Sequence, residues 1–396
     1  MDKKTIISTT EKYYLPVFTR YQVVLDHGQG CKVYDNEGNV YVDAFAGIAV
    51  NSLGYNHPAM VKAISEQAAK VMHTSNTFYT EPQAKALELV AEVSGMDRIF
   101  FTNCGAESNE GAMKLARKYG VAKSPNKYHI ISTDESFHGR TFDTLAATGH
   151  DYYHVGYGPL SPGHVLVPYG DIAAMEAKMN EDVCAVLIEP IQGEGGVHVP
   201  TDEYLRQVRA LCDKYDALLI FDEVQTGVAR TGKWFAYMHC GVKPDILTFA
   251  KGIGGGFPVG GFAITERLAK VFKPGDHGGT FGGNALACAV VCAILSTIKS
   301  ENLVDKVAEK GAYFMSELKK LQAKYPAKVK EVRGRGLLLG MELTAPGRSF
   351  VETCLTNGVI SNCTAGSVIR IAPPLIISKE EIDFVVAAFD KALAVF

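Results

Sequence analysis

Residues 217–251 read ALLIFDEVQTGVARTGKWFAYMHCGVKPDILTFAK, and the fold turns on how this stretch is parsed. It opens with an apolar run, 217–222, that ends on Asp222, and closes with a second run, 245–251, that ends on Lys251. Neither run alternates polar with apolar residues. Each is therefore expected to be buried on both faces, as a strand inside a parallel sheet is. Working outward, runs of the same kind recur at 98–102 (RIFFT), 129–133 (HIIST), 164–168 (HVLVP), 184–189 (CAVLIE) and 261–264 (GFAI). Helical patterns lie between them. Residues 106–119 carry Met113, Leu115 and Ala116, and residues 202–215 place Leu205, Val208 and Leu211 at helical spacing. This alternation predicts an open α/β sheet, mostly parallel, with helices on its faces.

The ends of the chain read differently. CKVYDNEGNVYVDA (31–44) is β-like around a turn at Asn36–Gly38. Beyond residue 301 an amphipathic helix carries Leu303, Val307, Phe314, Leu318 and Leu321. Short strands near GLLLGMEL (336–343) and SVIRIAPPL (367–375) follow, then a last helix from residue 379. The expected organisation is a large domain over 56–300 and a smaller α+β domain over 301–396, to which the segment 1–55 contributes.

Composition narrows the function classes. The chain has 396 residues, with Lys+Arg 40 against Asp+Glu 43 and a net charge of −3, which weighs against a nucleic-acid partner. The densest basic run, 317–335, interleaves Lys319, Lys320, Lys324, Lys328 and Lys330 with apolar residues and reads as a solvated helix face. No apolar run reaches the roughly 18 residues that a membrane span needs. No signal-like segment opens the chain. The nine cysteines are scattered without a metal-ligand spacing, as expected of reduced thiols in a cytoplasmic protein, and no metal site is expected.

Ligands of open α/β sheets gather at the carboxyl ends of the strands, so the polar residues that end the runs are the candidates. After RIFFT, Asn103–Glu110 opens a helix with small residues; Gly105 and Ala106 could present free N–H groups to a phosphate, or simply form a strand-to-helix turn. Asp222 at the end of a buried strand needs a partner, such as a ring-nitrogen cation, or serves as a cap. Lys251, followed by GIGGG, could lose its proton and act as an amine nucleophile, or be merely solvated. Phe137-His138-Gly139-Arg140 offers an aromatic face for stacking and a guanidinium fork for a carboxylate; the plainer readings are a core Phe and a surface Arg. Gly227–Lys233 fits G-x-x-x-x-G-K, but Trp234 stands where a P-loop needs a hydroxyl for Mg²⁺, so a nucleotide-binding ATPase is the reading of a different class. A phosphate cradle, a carboxylate, a Schiff-base lysine and a stacking aromatic together match pyridoxal phosphate.

Along nearly its whole length the chain resembles the class III (ornithine-type) aminotransferases of the fold type I pyridoxal-phosphate group. The resemblance rests on GIAVNSLGYNHP (47–58), TNCGAESNE (102–110), SFHGRT (136–141), EPIQGEGGV (189–197), LLIFDEVQTGVARTGK (218–233), PDILTFAKGIGGGFPVGG (244–261), GGTFGGNALACA (278–289) and VIRIAPPL (368–375). Within that family it is most similar to the acetylornithine branch, through HTSNTFYTEPQ (73–83) and TAGSVIRIAPPLIIS (364–378) as well. The resemblance implies a mostly parallel, mixed sheet in the large domain. It implies Lys251 as the Schiff-base lysine, Asp222 on the pyridinium nitrogen, Gln225 near the ring hydroxyl, Gly105 and Ala106 on the phosphate, Phe137 stacked on the ring and Glu189 close by. Thr280 would reach the phosphate of the partner subunit in a homodimer. Arg140 would bind the α-carboxylate of the acylated donor, and Glu194 would mask Arg370 until glutamate arrives. Three positions depart from the usual pattern: Gly279, where a hydroxyl residue is common, Phe18, where Tyr is common, and Cys104, where Ser is common. The implied reaction moves the distal amino group of N2-acetyl-L-ornithine to 2-oxoglutarate, in arginine biosynthesis. Succinylornithine, N-succinyl-diaminopimelate, 4-aminobutyrate and ornithine are the alternative donors.

Overall fold

The computed structural model describes residues 1–396. Three strands come first: β1 (Leu25–Gln29), β2 (Lys32–Asp35) and β3 (Val40–Asp43). Seven follow: β4 (Arg98–Thr102), β5 (His129–Thr133), β6 (His164–Val167), β7 (Val183–Ile188), β8 (Leu218–Asp222), β9 (Ile246–Phe249) and β10 (Gly260–Ile264). Five close the chain: β11 (Val329–Arg335), β12 (Leu338–Leu343), β13 (Val359–Ile360), β14 (Asn362–Thr364) and β15 (Val368–Ile371).

The middle seven strands form one sheet in the order β4-β10-β9-β8-β7-β5-β6. Strands β6, β5, β7, β8 and β9 are parallel neighbours, whereas β10 is antiparallel to both β9 and β4. The sheet is therefore mixed. A parallel return needs a crossover of about a dozen residues or more, and the connection 250–259 holds only a short 3₁₀ turn, so β10 comes back antiparallel. Every residue of β7, β8, β9 and β10 is buried, which is why their sequences carry no polar alternation. The helix Gly105–Val121 covers one face through Ala112, Met113, Leu115 and Ala116.

The helix Ala285–Ser300 packs between Pro58–Ala68 and Glu81–Ser94. Its run ALACAVVCAILSTI is apolar almost throughout: even the less buried stripe, Ala289, Cys292 and Ala293, is small and apolar, so little amphipathic contrast marks it. At the chain ends, β1, β2 and β3 share a sheet with β13, Val359 lying beside Val42 in parallel. The remaining sheet, β11-β12-β15-β14, is antiparallel throughout. No single helix is long and apolar enough to cross a membrane.

Two expectations need correction. The run ending on Lys251 is not strand to its end: β9 stops at Phe249, and Lys251 begins a 3₁₀ turn with φ of 47°. The basic run 317–335 is not one helix face. The helix ends at Lys324, and Lys330 lies in β11, paired with Glu342. Pro326 removes a backbone donor just past the helix end, so the chain turns there.

Candidate active site

The carboxyl ends of β4, β5, β7, β8 and β9 open on one cavity of about 470 Å³. Gly105, Ala106, Phe137, Arg140, Glu189, Asp222, Gln225 and Lys251 all line it. These residues come from five separate strand ends, and parallel direction alone brings them to one edge.

The helix Gly105–Val121 opens at this cavity with Cys104 as its N-cap and no side-chain cap. Its first N–H groups are thus free beside the cavity, where the positive end of the helix dipole favours an anion. Gly105 is required by packing, since a Cβ there would meet Val224 Cγ1 at 2.7 Å.

Asp222 is 4% exposed, and its carboxylate is held from several sides. Asn109 Nδ2 donates to Oδ2 at 2.7 Å, His138 Nδ1 lies 2.7 Å from the same oxygen, and the Val224 N–H donates to Oδ1 at 3.0 Å. Asn109 is itself fixed, donating to the His138 carbonyl and accepting from Thr248 Oγ1. The His138 side chain is buried, and its Nε2 has no partner. Sequence reading named His138 and Asn109 only as letters in SFHGR and TNCGAESNE. The signal for a role was there, since a buried carboxylate must find donors, but which donors depended on the tertiary fold.

Lys251 faces the same space. Burial lowers its amine below the ordinary lysine value, opposed by the negative charge of Glu194 and assisted by Arg370. Glu189 accepts from the Phe137 and Gly193 N–H groups at 3.2 and 3.1 Å. Burial pushes its carboxyl up to about 7, with His138 opposing and the Asp222 charge adding to the rise. Arg140 lies with its guanidinium 3.7 Å from the centre of the Tyr153 ring and 5.6 Å from that of Phe137.

Beside the cavity, Glu194 and Arg370 form an ion pair through Oε1 and Nη1. Gln225 joins both: its Nε2 donates to Glu194 Oε1 at 3.2 Å, and its Oε1 accepts from Arg370 Nη1 at 3.1 Å. Burial alone would raise the Glu194 carboxyl, but Arg370 and Lys251 outweigh it and hold it below the usual value.

Not every candidate meets here. Gly279 and Thr280 line a different cleft of about 370 Å³, with Glu107, Glu110 and His277; Asn103 borders both spaces. Phe18 is exposed on the N-terminal segment, outside the cavity. The P-loop-like stretch is packed shut. A Cβ on Gly232 would meet Ala308 Cβ at 2.9 Å, one on Gly336 would meet the Thr231 backbone at 2.4 Å, and the next helix begins only at Tyr237. No helix N-terminus and no space for a phosphate are present there.

The cavity fits pyridoxal phosphate on these grounds: an uncapped helix N-terminus for the phosphate, a fixed buried carboxylate for a ring cation, an aromatic wall and an amine of lowered pKa. The comparisons agree. Residues 16–393 match the model of the family described as aminotransferase class-III. The acetylornithine aminotransferase of Caldanaerobacter subterraneus subsp. tengcongensis is 48% identical over 391 residues, 98% of this chain and 99% of that protein. The acetylornithine/succinyldiaminopimelate aminotransferase of Yersinia pestis is 43% identical, over 98% of this chain and 96% of its own. Among solved structures, the ornithine aminotransferase of Toxoplasma gondii superposes with a TM-score of 0.95 at 36% identity, covering 100% of this chain and 96% of that one. The chain therefore belongs to the class-III aminotransferase family and is a pyridoxal-phosphate-dependent enzyme.

Proposed function

We propose that the protein transfers the distal amino group of N2-acetyl-L-ornithine to 2-oxoglutarate, giving N-acetyl-L-glutamate 5-semialdehyde and L-glutamate, a step of arginine biosynthesis. The observation that carries this reading is the placement of two guanidinium groups around one lysine. Arg140 is open to the cavity, whereas Arg370 is closed off by Glu194. A donor that reacts through its distal amine has no carboxylate at the reacting carbon, and its α-carboxylate lies a side chain away, within the province of Arg140. Glutamate reacts at its α-carbon and brings a carboxylate to that very place, where only an unmasked Arg370 can meet it. Near neighbours named for acetylornithine support this donor, and the Yersinia relative's name makes N-succinyl-diaminopimelate the second reading.

The remaining roles follow from chemistry. Lys251 Nζ would hold the cofactor and afterwards move the proton at the reacting carbon, for which a lowered pKa suits it. Bound pyridoxal phosphate supplies an electron-withdrawing ring that takes up the electron pair of the broken C–H bond. Asp222, held by Asn109 and His138, would keep the ring nitrogen charged. Gly105 and Ala106 would hold the phosphate, Phe137 the ring face, and Gln225 and Glu189 the surrounding polar groups.

The assembly we propose is a homodimer, in which Thr280 and Gly279 serve the partner's site. Their exposure on a separate cleft supports it, as do the exposed Phe78, Tyr79 and Phe281. Residues 56–300 would form the cofactor-binding body, with 1–55 and 301–396 as the smaller one. Nine unpaired thiols support a reducing, cytoplasmic setting.

The test is the visible spectrum of the purified holoenzyme during separate additions of acetylornithine, succinylornithine, N-succinyl-diaminopimelate, ornithine and 4-aminobutyrate. Acetylornithine should bleach it at the lowest concentration. A lower requirement for another donor transfers the assignment to that donor. Lys251→Ala should abolish the lysine-bound chromophore and lower turnover at least ~10³-fold.

A further inference from the structure

Two residues of the short strand β14 touch the two halves of the Glu194–Arg370 pair. Asn362 Oδ1 accepts from Arg370 Nη2 at 2.8 Å. Thr364 Oγ1 donates to the backbone carbonyl of Glu194 at 2.5 Å. Neither contact involves the Glu194 carboxylate, which is the group that must move if glutamate is to reach Arg370.

The backbone around Glu194 is held from further points. Arg333 of β11 donates from Nε and Nη2 to the Gly196 carbonyl at 2.9 and 2.7 Å. A Cβ on Gly193 would meet the Gln225 side chain at 2.4 Å, and one on Gly195 would meet the Glu135 carbonyl at 2.4 Å. The loop 193–196 is therefore held between the C-terminal sheet, through Arg333 and Thr364, and the segments that follow β8 and β5, through Gln225 and Glu135. Arg370 is 2% exposed, and its Nε already lacks a partner. If Glu194 withdraws, two neutral acceptors remain on the guanidinium, Gln225 on Nη1 and Asn362 on Nη2, and Asn362 is the one that holds the nitrogen Glu194 does not touch.

We propose that Asn362 and Thr364 are positioning residues of the two-substrate switch: Thr364 pins the Glu194 backbone so that only its side chain turns, and Asn362 keeps Arg370 oriented while its carboxylate partner is exchanged. A neutral amide suits this place, since a second carboxylate would compete with glutamate for the same guanidinium. The inference rests on the reading of Glu194 and Arg370 given above.

Holoenzymes carrying Asn362→Leu, Thr364→Val, Thr364→Ser and Glu194→Ala separate the possibilities. Asn362→Leu should raise KM for glutamate about tenfold, with kcat within about twofold and the acylated-donor half-reaction within about twofold. Glutarate, a dicarboxylate without an amine, should lose about tenfold in affinity by calorimetry. Thr364→Val should narrow the preference between distal and α-amines about threefold, and Thr364→Ser should restore it. Equal losses in both half-reactions, with a lower thermal midpoint, would make β14 a structural brace and overturn the proposal, as would no change in glutamate KM or glutarate affinity. If Glu194→Ala leaves the donor preference unchanged, the switch itself is wrong. If Glu194→Ala shifts it and Asn362→Leu does not, only the assignment of Asn362 falls.

Discussion

Two arginines, Arg230 and Arg370, are equally buried at 2% exposure, yet their surroundings differ. Arg230 lies in the P-loop-like turn and donates through Nη1 to the backbone carbonyls of Leu337 and Pro373. The Arg230 carbonyl in turn accepts from the Leu337 N–H at 2.9 Å. Every acceptor here is main chain and immobile. Arg370 instead has three side-chain partners, Glu194, Gln225 and Asn362. A cation on fixed carbonyls can only brace the fold, whereas a cation on a rotatable carboxylate can exchange that partner for a substrate. Burial alone does not tell the two apart; the mobility of the acceptors does.

This contrast can be broken by four measurements. The largest effect should come from Arg230→Met, which strands two buried carbonyls. Stability should fall by about 3 kcal/mol, read as a lower urea midpoint, while the ratio of the two half-reaction efficiencies stays put. A shifted ratio at unchanged stability would mean that Arg230 is not a brace. Arg370→Met should do the reverse. Glutamate kcat/KM should drop about 100-fold, equivalent to ~2.7 kcal/mol, against less than about threefold for the acylated donor.

Glu194→Ala should have a smaller effect, improving glutamate relative to the acylated donor by about tenfold, or ~1.4 kcal/mol. Competition between the two amino donors would read this directly, and an unchanged ratio would remove the masking role.

An effect of similar size to the last sharpens the comparison through pH. Glu223, next to Asp222 in sequence, points away from the cavity. It accepts from the Ala236 and Tyr237 N–H groups and the Thr226 hydroxyl, beside the Arg230 turn. Burial pushes its carboxyl up to about 7. A raised folded-state pKa means that its contribution is complete below the unfolded value near 4.5 and is lost as pH rises through about 7. Glu194 is lowered, so its contribution persists over that window and is lost only as pH falls through its own folded value. Wild-type stability should therefore fall more steeply between pH 5 and 8 than that of Glu223→Gln, with a difference of about 1–2 kcal/mol across the range. The Glu194→Ala slope in that range should match wild type. Denaturation midpoints at several pH values would show both, and parallel slopes for Glu223→Gln and wild type would refute the buried-acid account.

Much of the sheet was readable in the chain itself. Strands covered on both faces need apolar residues at every position, so β7, β8 and β9 stand out as unbroken runs, and the polar residues that end them mark the ligand edge. For this reason Gly105, Phe137, Asp222 and Lys251 could be named before their geometry was known, whereas Glu189 came only with the family resemblance. The helix Ala285–Ser300 was harder, because its less buried face, with Ala289, Cys292 and Ala293, is apolar too and gives little periodic contrast.

What the sequence could not decide were contacts between residues far apart in the chain. Gln225 bonds Arg370 across 145 positions, Thr364 bonds Glu194 across 170, and Asn109 bonds Asp222 across 113. No local pattern encodes such pairs, since they arise only once separate strands share an edge. The same holds for the near P-loop at 227–233. Its glycines fit a phosphate-binding pattern in one dimension, and only the packing of Gly232 on Ala308 and of Gly336 on Thr231 shows that they serve close approach of backbone instead. Sequence by itself determined which residue types reach the site, because strand direction and burial act locally. Tertiary structure decided which of them face movable partners, because that depends on what the rest of the chain brings alongside.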